Sequence, residues 1–494
     1  MLLIYADDLG YGDVGCYGAE RIATPHIGRL AREGLRFVNA YTTSATCTPS
    51  RYALLTGEYL LRRPGTGVLA GHAGLIIEPG RATLAELPRR AGYRTGVVGK
   101  WHLGLGRHRP DWNGVIAPGP LEIGFDYAFI MPATGDRVPC VYVENRSVVG
   151  LDPSDPIEVS YDTPIPGVPT ARSHPDQVRM RPTHGHDLTI VNGIPRIGYM
   201  NGGTAALRKD EDTADEFVRR GVGFIESAGR PFFLYWAAHD PNVPRVPHPR
   251  FAGRTPLGPR GDAIVQFDEC AGALLSALDR LGLADRTLVI FSSDNGPVLN
   301  DGYEDGAAER NGDHRPAGPL RGGKYSRFEA GCRVPFVVRW PGRVLPGVST
   351  ALVSQVDLPA SLAALTGVEL AETDAPDSLN VLPALLGESP HGREWVAMQG
   401  TGQLAFRRGD WKFLPPSRGP ARNENTNAEL GNAPEPQLYL LADDPGERRN
   451  LAGGQLDLVA AMAAELERIR TSGCTRPGAR PVAAPRPPPS TGTP

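Results

Sequence analysis

The sequence predicts an α/β protein: a large mixed, mostly parallel sheet sandwiched by helices, followed by a smaller α+β domain with an antiparallel sheet. Three observations carry this. Apolar runs recur at 2–6, 95–98, 232–237, 288–292 and 335–338, each ending in small or polar residues. Segments of helical period lie between them at 213–227 and 263–281. In the second, Ile264, Phe267, Cys270, Leu274, Leu278 and Leu281 share one face. Beyond residue 370 the texture changes to short runs with hairpin-like spacing.

Each element has a local reason. Runs that are apolar throughout, rather than alternating, suit strands covered on both faces, as in parallel sheets flanked by helices. Such sheets hold their chemistry beyond the carboxyl ends of the strands, so the residues just after each run matter most. Residues 105–200 are rich in Gly, Pro and polar side chains and offer few clear elements. A loop region that long in a compact enzyme is expected to carry function. Strands at 396–399, 404–407, 411–414 and 438–441 precede a helix near 456–470. The final stretch, 475–494, holds seven prolines in twenty residues and is expected to be a disordered tail. The expected units are therefore a large α/β domain at 1–370, an α+β subdomain at 371–474 and that tail.

Composition narrows the function. The 494 residues are 40% hydrophobic and 22% charged, as in folded globular chains. A net charge of −3 supplies no basic field for nucleic acid or an anionic membrane, so neither is an expected partner. No apolar run approaches the ~20 residues of a membrane span. Met1 leads straight into an apolar run, and no secretory leader is visible. The six cysteines are scattered without a C-x-x-C pair, too sparse for a disulfide scaffold and wrong for zinc. Only four of the 52 basic residues are lysine: Lys100, Lys209, Lys324 and Lys412. Lys209 and Lys412 read as surface residues, whereas Lys100 and Lys324 sit in glycine-flanked segments where a compact cation needs an anionic partner.

Gly10-Tyr11-Gly12-Asp13-Val14-Gly15 matches the dinucleotide pattern G-x-G-x-x-G, with Glu33 near the place of a ribose-binding acid. No dinucleotide site is expected, because Asp7 and Asp8 would repel a pyrophosphate and no apolar helical stripe follows. Adjacent carboxylates at a strand end are costly unless a cation joins them, although a solvated loop or cap accounts for an isolated pair. A second oxygen-bearing pair, Asp294 and Asn295, follows another buried run. Two such strand ends fit a hard divalent cation, Ca²⁺ first and Mg²⁺ second. Cys47-Thr48-Pro49-Ser50-Arg51 leads into an apolar helix, with Pro49 suited to its first turn. A buried structural thiol and a nucleophile held against helix-end amides both fit Cys47.

At Cys47 the sequence resembles the sulfatase family, on the alkaline-phosphatase-like fold. Its five residues match the signature C-x-P-x-R, in which the cysteine is converted to Cα-formylglycine. Four further blocks stand in the family's order: Ala6-Asp7-Asp8-Leu9-Gly10, Gly99-Lys100-Trp101-His102-Leu103-Gly104, Ser293-Asp294-Asn295-Gly296 and Gly322-Gly323-Lys324. The resemblance spans nearly the whole chain, to about residue 470.

The resemblance implies a sulfuric ester hydrolase with one Ca²⁺, or alternatively Mg²⁺, per subunit. Asp7, Asp8, Asp294, Asn295 and an oxygen of modified Cys47 would bind it. It further implies that hydrated formylglycine attacks sulfur while Arg51 helps hold the nucleophile. Lys100 and Lys324 would clamp the sulfate, His239 would attend the leaving oxygen with Lys324, and His102 would remove the proton that releases sulfate. A formylglycine-generating maturation enzyme is the implied partner, and a sulfated carbohydrate or aryl sulfate the implied substrate. Periplasm or secretion is the implied location, with cytoplasm left open by the leaderless start.

Asp136, Arg137, His184 and His186 resemble sugar-reading residues of a subset of bacterial carbohydrate sulfatases. The expected substrate is a sulfated hexose or hexosamine, such as galactose or N-acetylgalactosamine 6-sulfate. One departure is Asn242 in His239-Asp240-Pro241-Asn242, where the family often has His-x-Pro-His; it puts a substrate contact in doubt. Two alternatives are a phosphodiesterase or phosphonate monoester hydrolase of the same superfamily, and a non-catalytic glycan-binding homologue. The first tends to add Asp and His ligands, and the second is expected to lose Cys47, Arg51 or a lysine.

Overall fold

The computed structural model describes residues 1–482 apart from residues 64 and 230. Its strands, in chain order, are β1 (Leu2–Ala6), β2 (Leu35–Tyr41), β3 (Arg94–Lys100), β4 (Tyr127–Met131), β5 (Val143–Glu144), β6 (Ser147–Val148), β7 (Phe232–Ala237), β8 (Val289–Ser293), β9 (Phe336–Arg339) and β10 (Gly347–Ser354). They form one sheet in the order β10-β2-β9-β8-β1-β7-β3-β4-β5-β6. β8, β1, β7, β3 and β4 run parallel, whereas β9 is antiparallel to both β8 and β2. The sheet is thus mixed and mostly parallel, as expected.

Side-chain alternation sends each strand into two cores. Leu3 and Tyr5 of β1 join one core, and Leu2, Ile4 and Ala6 the other. The first is covered by α2 (Cys47–Thr56) and α5 (Leu358–Thr366); the second by α1 (Pro25–Arg32), α3 (Thr213–Glu226) and α4 (Gly258–Arg280). Helix α4 starts earlier than its apolar stripe because Pro259 occupies its first turn and the Asp262 carboxylate accepts from the Gly253 and Thr255 N–H groups.

Apart from β4, β5 and β6, which extend the main sheet, residues 105–201 contain only short pieces of ladder, such as Tyr199–Asn201 against Glu158–Ser160. The second sheet is antiparallel, in the order β11 (Trp395–Gln399), β12 (Leu404–Arg408), β13 (Trp411–Leu414), β14 (Gln437–Leu440). Helix α6 (Leu456–Thr471) covers it, with Met462, Leu466 and Ile469 packed on Phe406, Phe413 and Leu438.

Two expectations are corrected here. Lys412 is fully buried on β13, not a surface residue: its Nζ donates to Glu329 Oε1 at 3.0 Å and lies 3.3 Å from Glu447 Oε1. A buried ammonium is tolerable when carboxylates compensate it. The start of the expected tail is held, since Thr475 Oγ1 donates to Asp377 Oδ1 and Arg476 Nη2 to the carbonyls of Ala371 and Asp374. The rest of that tail, 483–494, lies outside the described residues.

Candidate active site

Because β8, β1, β7 and β3 are parallel neighbours, their carboxyl ends share one edge of the sheet. That edge delivers Asp294 and Asn295, Asp7 and Asp8, His239, and Lys100 in that order. β3 closes tightly on β7 at Gly99, whose φ is +118° and where a Cβ would fall 1.8 Å from the Ala237 carbonyl oxygen. Asp8 and His102 turn through left-handed conformations, with φ of 64° and 57°. Such a backbone costs a non-glycine residue about 1–3 kcal/mol and persists where surrounding contacts enforce it.

Cys47 opens α2, all of whose ten residues are buried. Its Sγ lies 3.7 Å from Asp7 Oδ1, and ligand atoms of Asp7, Cys47 and Asp294 all fall within 4.8 Å of one another. Asp8 adjoins this group: its N–H donates to Asp294 Oδ1 at 3.2 Å, and Asn295 Nδ2 donates to Asp8 Oδ1 at 2.7 Å. Asn295 Oδ1 is buried and has no hydrogen-bond partner among the described residues. An orphaned amide oxygen beside three buried carboxylates is a donor set that fits a hard oxygen-seeking cation.

Three cations interleave with these carboxylates. Arg51 donates from Nε and Nη2 to Asp294 Oδ2 at 3.1 and 2.9 Å, and from Nη1 to the Tyr235 hydroxyl at 3.1 Å. Lys100 Nζ meets Asp7 Oδ2 at 2.5 Å. Lys324 Nζ meets Asp8 Oδ2 at 2.8 Å and Asp301 Oδ2 at 2.7 Å. Burial opposes the charge on Asp7, but Lys100 and Arg51 outweigh it and hold the carboxyl below its usual range. Asp294 is pushed up to about 7 by burial and then by the charge of Asp7. Burial also opposes the charge on Lys324, yet Asp301 and Asp8 keep it firmly protonated. Burial pushes the Cys47 thiol well up, so an unmodified thiol here stays neutral and is a poor nucleophile.

Both histidines are neutral near pH 7. Burial and then Lys100 hold His102 well below its usual value, and burial brings His239 down to about 4 against the pull of Asp7. His102 Nε2 lies 2.9 Å from the Leu69 carbonyl oxygen, which can only accept. The ring proton therefore sits on Nε2, leaving a lone pair on the buried Nδ1, which has no partner among the described residues. His239 is packed against Gly135, where a Cβ would fall 2.0 Å from its Nε2.

Of the loop candidates, Asp136, Arg137 and His186 come together. Asp136 accepts from Arg137 Nη1 and His186 Nε2, each at 2.9 Å, and from Thr134 Oγ1. The Arg137 charge adds to that of Lys100 in holding His102 below its usual value. His184 is half-buried beside His186, with ring centroids 5.7 Å apart; its ring bonds the Thr183 hydroxyl, and its carbonyl faces His186 Nδ1 at 2.6 Å. Asn242 is tied to the carboxylate group: its Nδ2 donates to Asp7 Oδ2 at 2.9 Å. Asp301 and Tyr235 escaped the sequence reading. Asp301 lies in a loop with no spacing signal, and Tyr235 is hidden in the apolar run of β7.

The comparisons with known proteins agree with this geometry. A family model described as Sulfatase matches residues 1–368. The chain belongs to the sulfatase family. This sulfatase is 52% identical over 474 residues to the N-acetylgalactosamine-6-O-sulfatase of Bacteroides thetaiotaomicron, covering 95% of this chain and 93% of that protein. Human arylsulfatase A is 34% identical, covering 92% and 83%. A solved Bacteroides thetaiotaomicron 6S-sulf structure, from a locus for metabolism of multiple glycosaminoglycans, matches with a TM-score of 0.94 at 52% identity, covering 95% of this chain and 99% of that one. The sulfatase is thus an enzyme of sulfate ester hydrolysis on the alkaline-phosphatase-like fold, in a family generally dependent on formylglycine and a metal. Among the described residues no helix is long and apolar enough to cross a membrane.

Proposed function

We propose that this sulfatase removes the 6-sulfate of an N-acetylgalactosamine or galactose unit. The observation that carries the reading is the single sheet edge where three buried cations, two neutral histidines and the Asp7–Cys47–Asp294 group converge. The 52% identity to a relative named for N-acetylgalactosamine 6-sulfate supports the choice of sugar. Formylglycine at position 47 and a Ca²⁺ held by Asp7, Asp8, Asp294 and Asn295 would supply a hydroxyl nucleophile and a Lewis acid for the sulfate oxygens. Mg²⁺ is the second choice, and a formylglycine-generating enzyme would be the maturation partner.

The chain's own residues do the rest. Lys100 and Lys324, charged and anchored on carboxylates, present fixed ammonium groups to the sulfate oxygens and need not reorganise as charge develops there. Arg51, locked on Asp294 and Tyr235, holds its charge at the helix end beside residue 47. Neutral His239 can steady the leaving sugar oxygen through an N–H hydrogen bond, while the protonated Lys324 ammonium is the group that holds a proton to pass to it. His102 offers its Nδ1 lone pair as the base. Asp136, Arg137 and His186 form a polar wall suited to sugar hydroxyls, with His184 at its margin.

The deciding experiment offers the matured enzyme N-acetylgalactosamine 6-sulfate, its 4-sulfate isomer and a phosphate diester. The reading expects sulfate release from the 6-sulfate at least about a hundredfold faster than from the 4-sulfate, since a site that bonds specific hydroxyls rejects mispresented isomers. Equal rates on the two isomers overturn the regiochemistry, and preference for the diester overturns the reaction class.

A further inference from the structure

Thr48, the second residue of the Cys47 signature, is fully buried and points away from no partner: its hydroxyl is used twice. Oγ1 donates to the His102 carbonyl oxygen at 3.0 Å and accepts from the Leu69 N–H at 3.3 Å. The Leu69 carbonyl in turn faces His102 Nε2 at 2.9 Å. Thr48, both backbone groups of Leu69, and the backbone and ring of His102 therefore close a hydrogen-bonded circuit. We propose that Thr48 is a positioning residue for His102: it fixes the Leu69 carbonyl that holds the ring proton on Nε2 and so keeps Nδ1 free as the base. The proposal rests on the reading of His102 as the base of the sulfatase reaction.

Three features favour a positioning role over plain filling of space. His102 sits at a φ of 57°, so its backbone needs external restraint, and the Thr48 hydroxyl bonds its carbonyl directly. Leu69 is half-buried on a glycine-containing stretch, between the Thr66 N–H bond to the Arg63 carbonyl and the Gly71 N–H bond to the Tyr161 hydroxyl. Past that stretch the loop is laced to the chain following His102, with Leu105 N–H on the Ala73 carbonyl and Ile76 N–H on the Leu103 carbonyl. Thr48 lies on rigid α2 directly beside Cys47, so one hydroxyl couples the position of the nucleophile to that of the base.

The test compares Thr48→Ser, which keeps the hydroxyl, with Thr48→Val, which keeps the shape. Turnover of 4-nitrophenyl sulfate is divided by the fraction of residue 47 converted, measured by intact mass, because Thr48 lies inside the modified signature. The expectation is that Thr48→Ser retains kcat within about twofold, while Thr48→Val loses about tenfold or more with KM within about twofold, the scale of a slightly misplaced base. Thr48→Val with kcat within twofold of wild type, or Thr48→Ser failing equally, overturns the proposal. A second measurement needs no maturation: ¹⁵N resonances of the His102 ring in unmodified protein, assigned by their loss in His102→Gln. A single Nε2–H tautomer in wild type and Thr48→Ser, with a tautomer mixture in Thr48→Val, supports the proposal; an unchanged tautomer in Thr48→Val overturns it. Failure of the underlying sulfatase reading looks different, as fully converted wild-type enzyme that cleaves no sulfate ester.

Discussion

Asp301 Oδ2 lies 2.7 Å from Lys324 Nζ, and the same carboxylate accepts from the Tyr325 hydroxyl at 3.0 Å through Oδ1. Lys324 is thereby stretched between Asp301 and Asp8, its flexible stem fixed at the end that the proposed function turns toward a sulfate oxygen. Asp301→Asn is expected to lower kcat/KM by about tenfold, and Lys324→Ala by about 10²–10³-fold, the scale of losing one preorganised oxyanion partner. Because Asp301 acts through Lys324, the double variant is expected to be no worse than Lys324→Ala alone. Additive losses in a double-mutant cycle would show that Asp301 acts independently.

Cys47 is a small, neutral, buried side chain that belongs to none of the apolar clusters among the described residues. Cys47→Ala is expected to abolish turnover of 4-nitrophenyl sulfate while costing about 1 kcal/mol of stability, a melting shift under about 3 °C. Residual activity above that of a mock preparation would refute Cys47 as the source of the nucleophile.

Asp7, Asp8, Asp294 and Asp301 oppose Arg51, Lys100 and Lys324, so the charges nearly balance before any cation binds. A divalent ion turns that balance positive, which suits a monoanionic sulfate ester. Dialysis against a Ca²⁺ chelator is accordingly expected to remove activity without unfolding the chain. Returning Ca²⁺ to a hundred times its Kd is expected to restore turnover and add about 2.7 kcal/mol of stability. An unchanged melting temperature and full activity after chelation would rule out the cation reading.

The strand-end residues were legible in the sequence because uninterrupted apolar runs announce buried parallel strands, and chemistry gathers at their carboxyl ends. β2 was not, since Arg36 and Asn39 break its apolar run. The structure satisfies both: Arg36 stacks on Tyr17 of the helical turn Gly15–Tyr17, 5.0 Å from its ring, and Asn39 Nδ2 donates to the Thr350 carbonyl on the neighbouring β10. Asp301 and Thr48 were opaque for a different reason. Each gains its role from a partner brought near by loop closure, Lys324 in one case and Leu69 in the other, and neither pairing leaves a periodic trace. Lys412 was misread because composition predicts exposure for lysine and cannot reveal two carboxylates waiting in the fold.

That buried lysine yields the last prediction. Lys412 serves both Glu329 and Glu447, while Glu329 is also paired with Arg333 at 3.2 Å. Glu329 therefore stays ionised, held below its usual range against burial by Lys412 and Arg333. Glu447 is pushed up to about 7 by burial and by the charge of Glu329, in spite of Lys412. In the unfolded chain Glu447 loses its proton near pH 4.5, so between there and about 7 the folded state binds more protons than the unfolded one. The stability Glu447 contributes is fully present below pH 4.5 and is lost as the pH rises through about 7. Glu447→Gln, which cannot ionise, is expected to flatten that decline, so the variant gains on wild type in melting temperature between pH 5 and pH 8. Lys412→Met, by contrast, strands the charge of Glu329 and is expected to cost about 3–5 kcal/mol. A Glu447→Gln curve parallel to wild type across that range would show that Glu447 is ionised throughout.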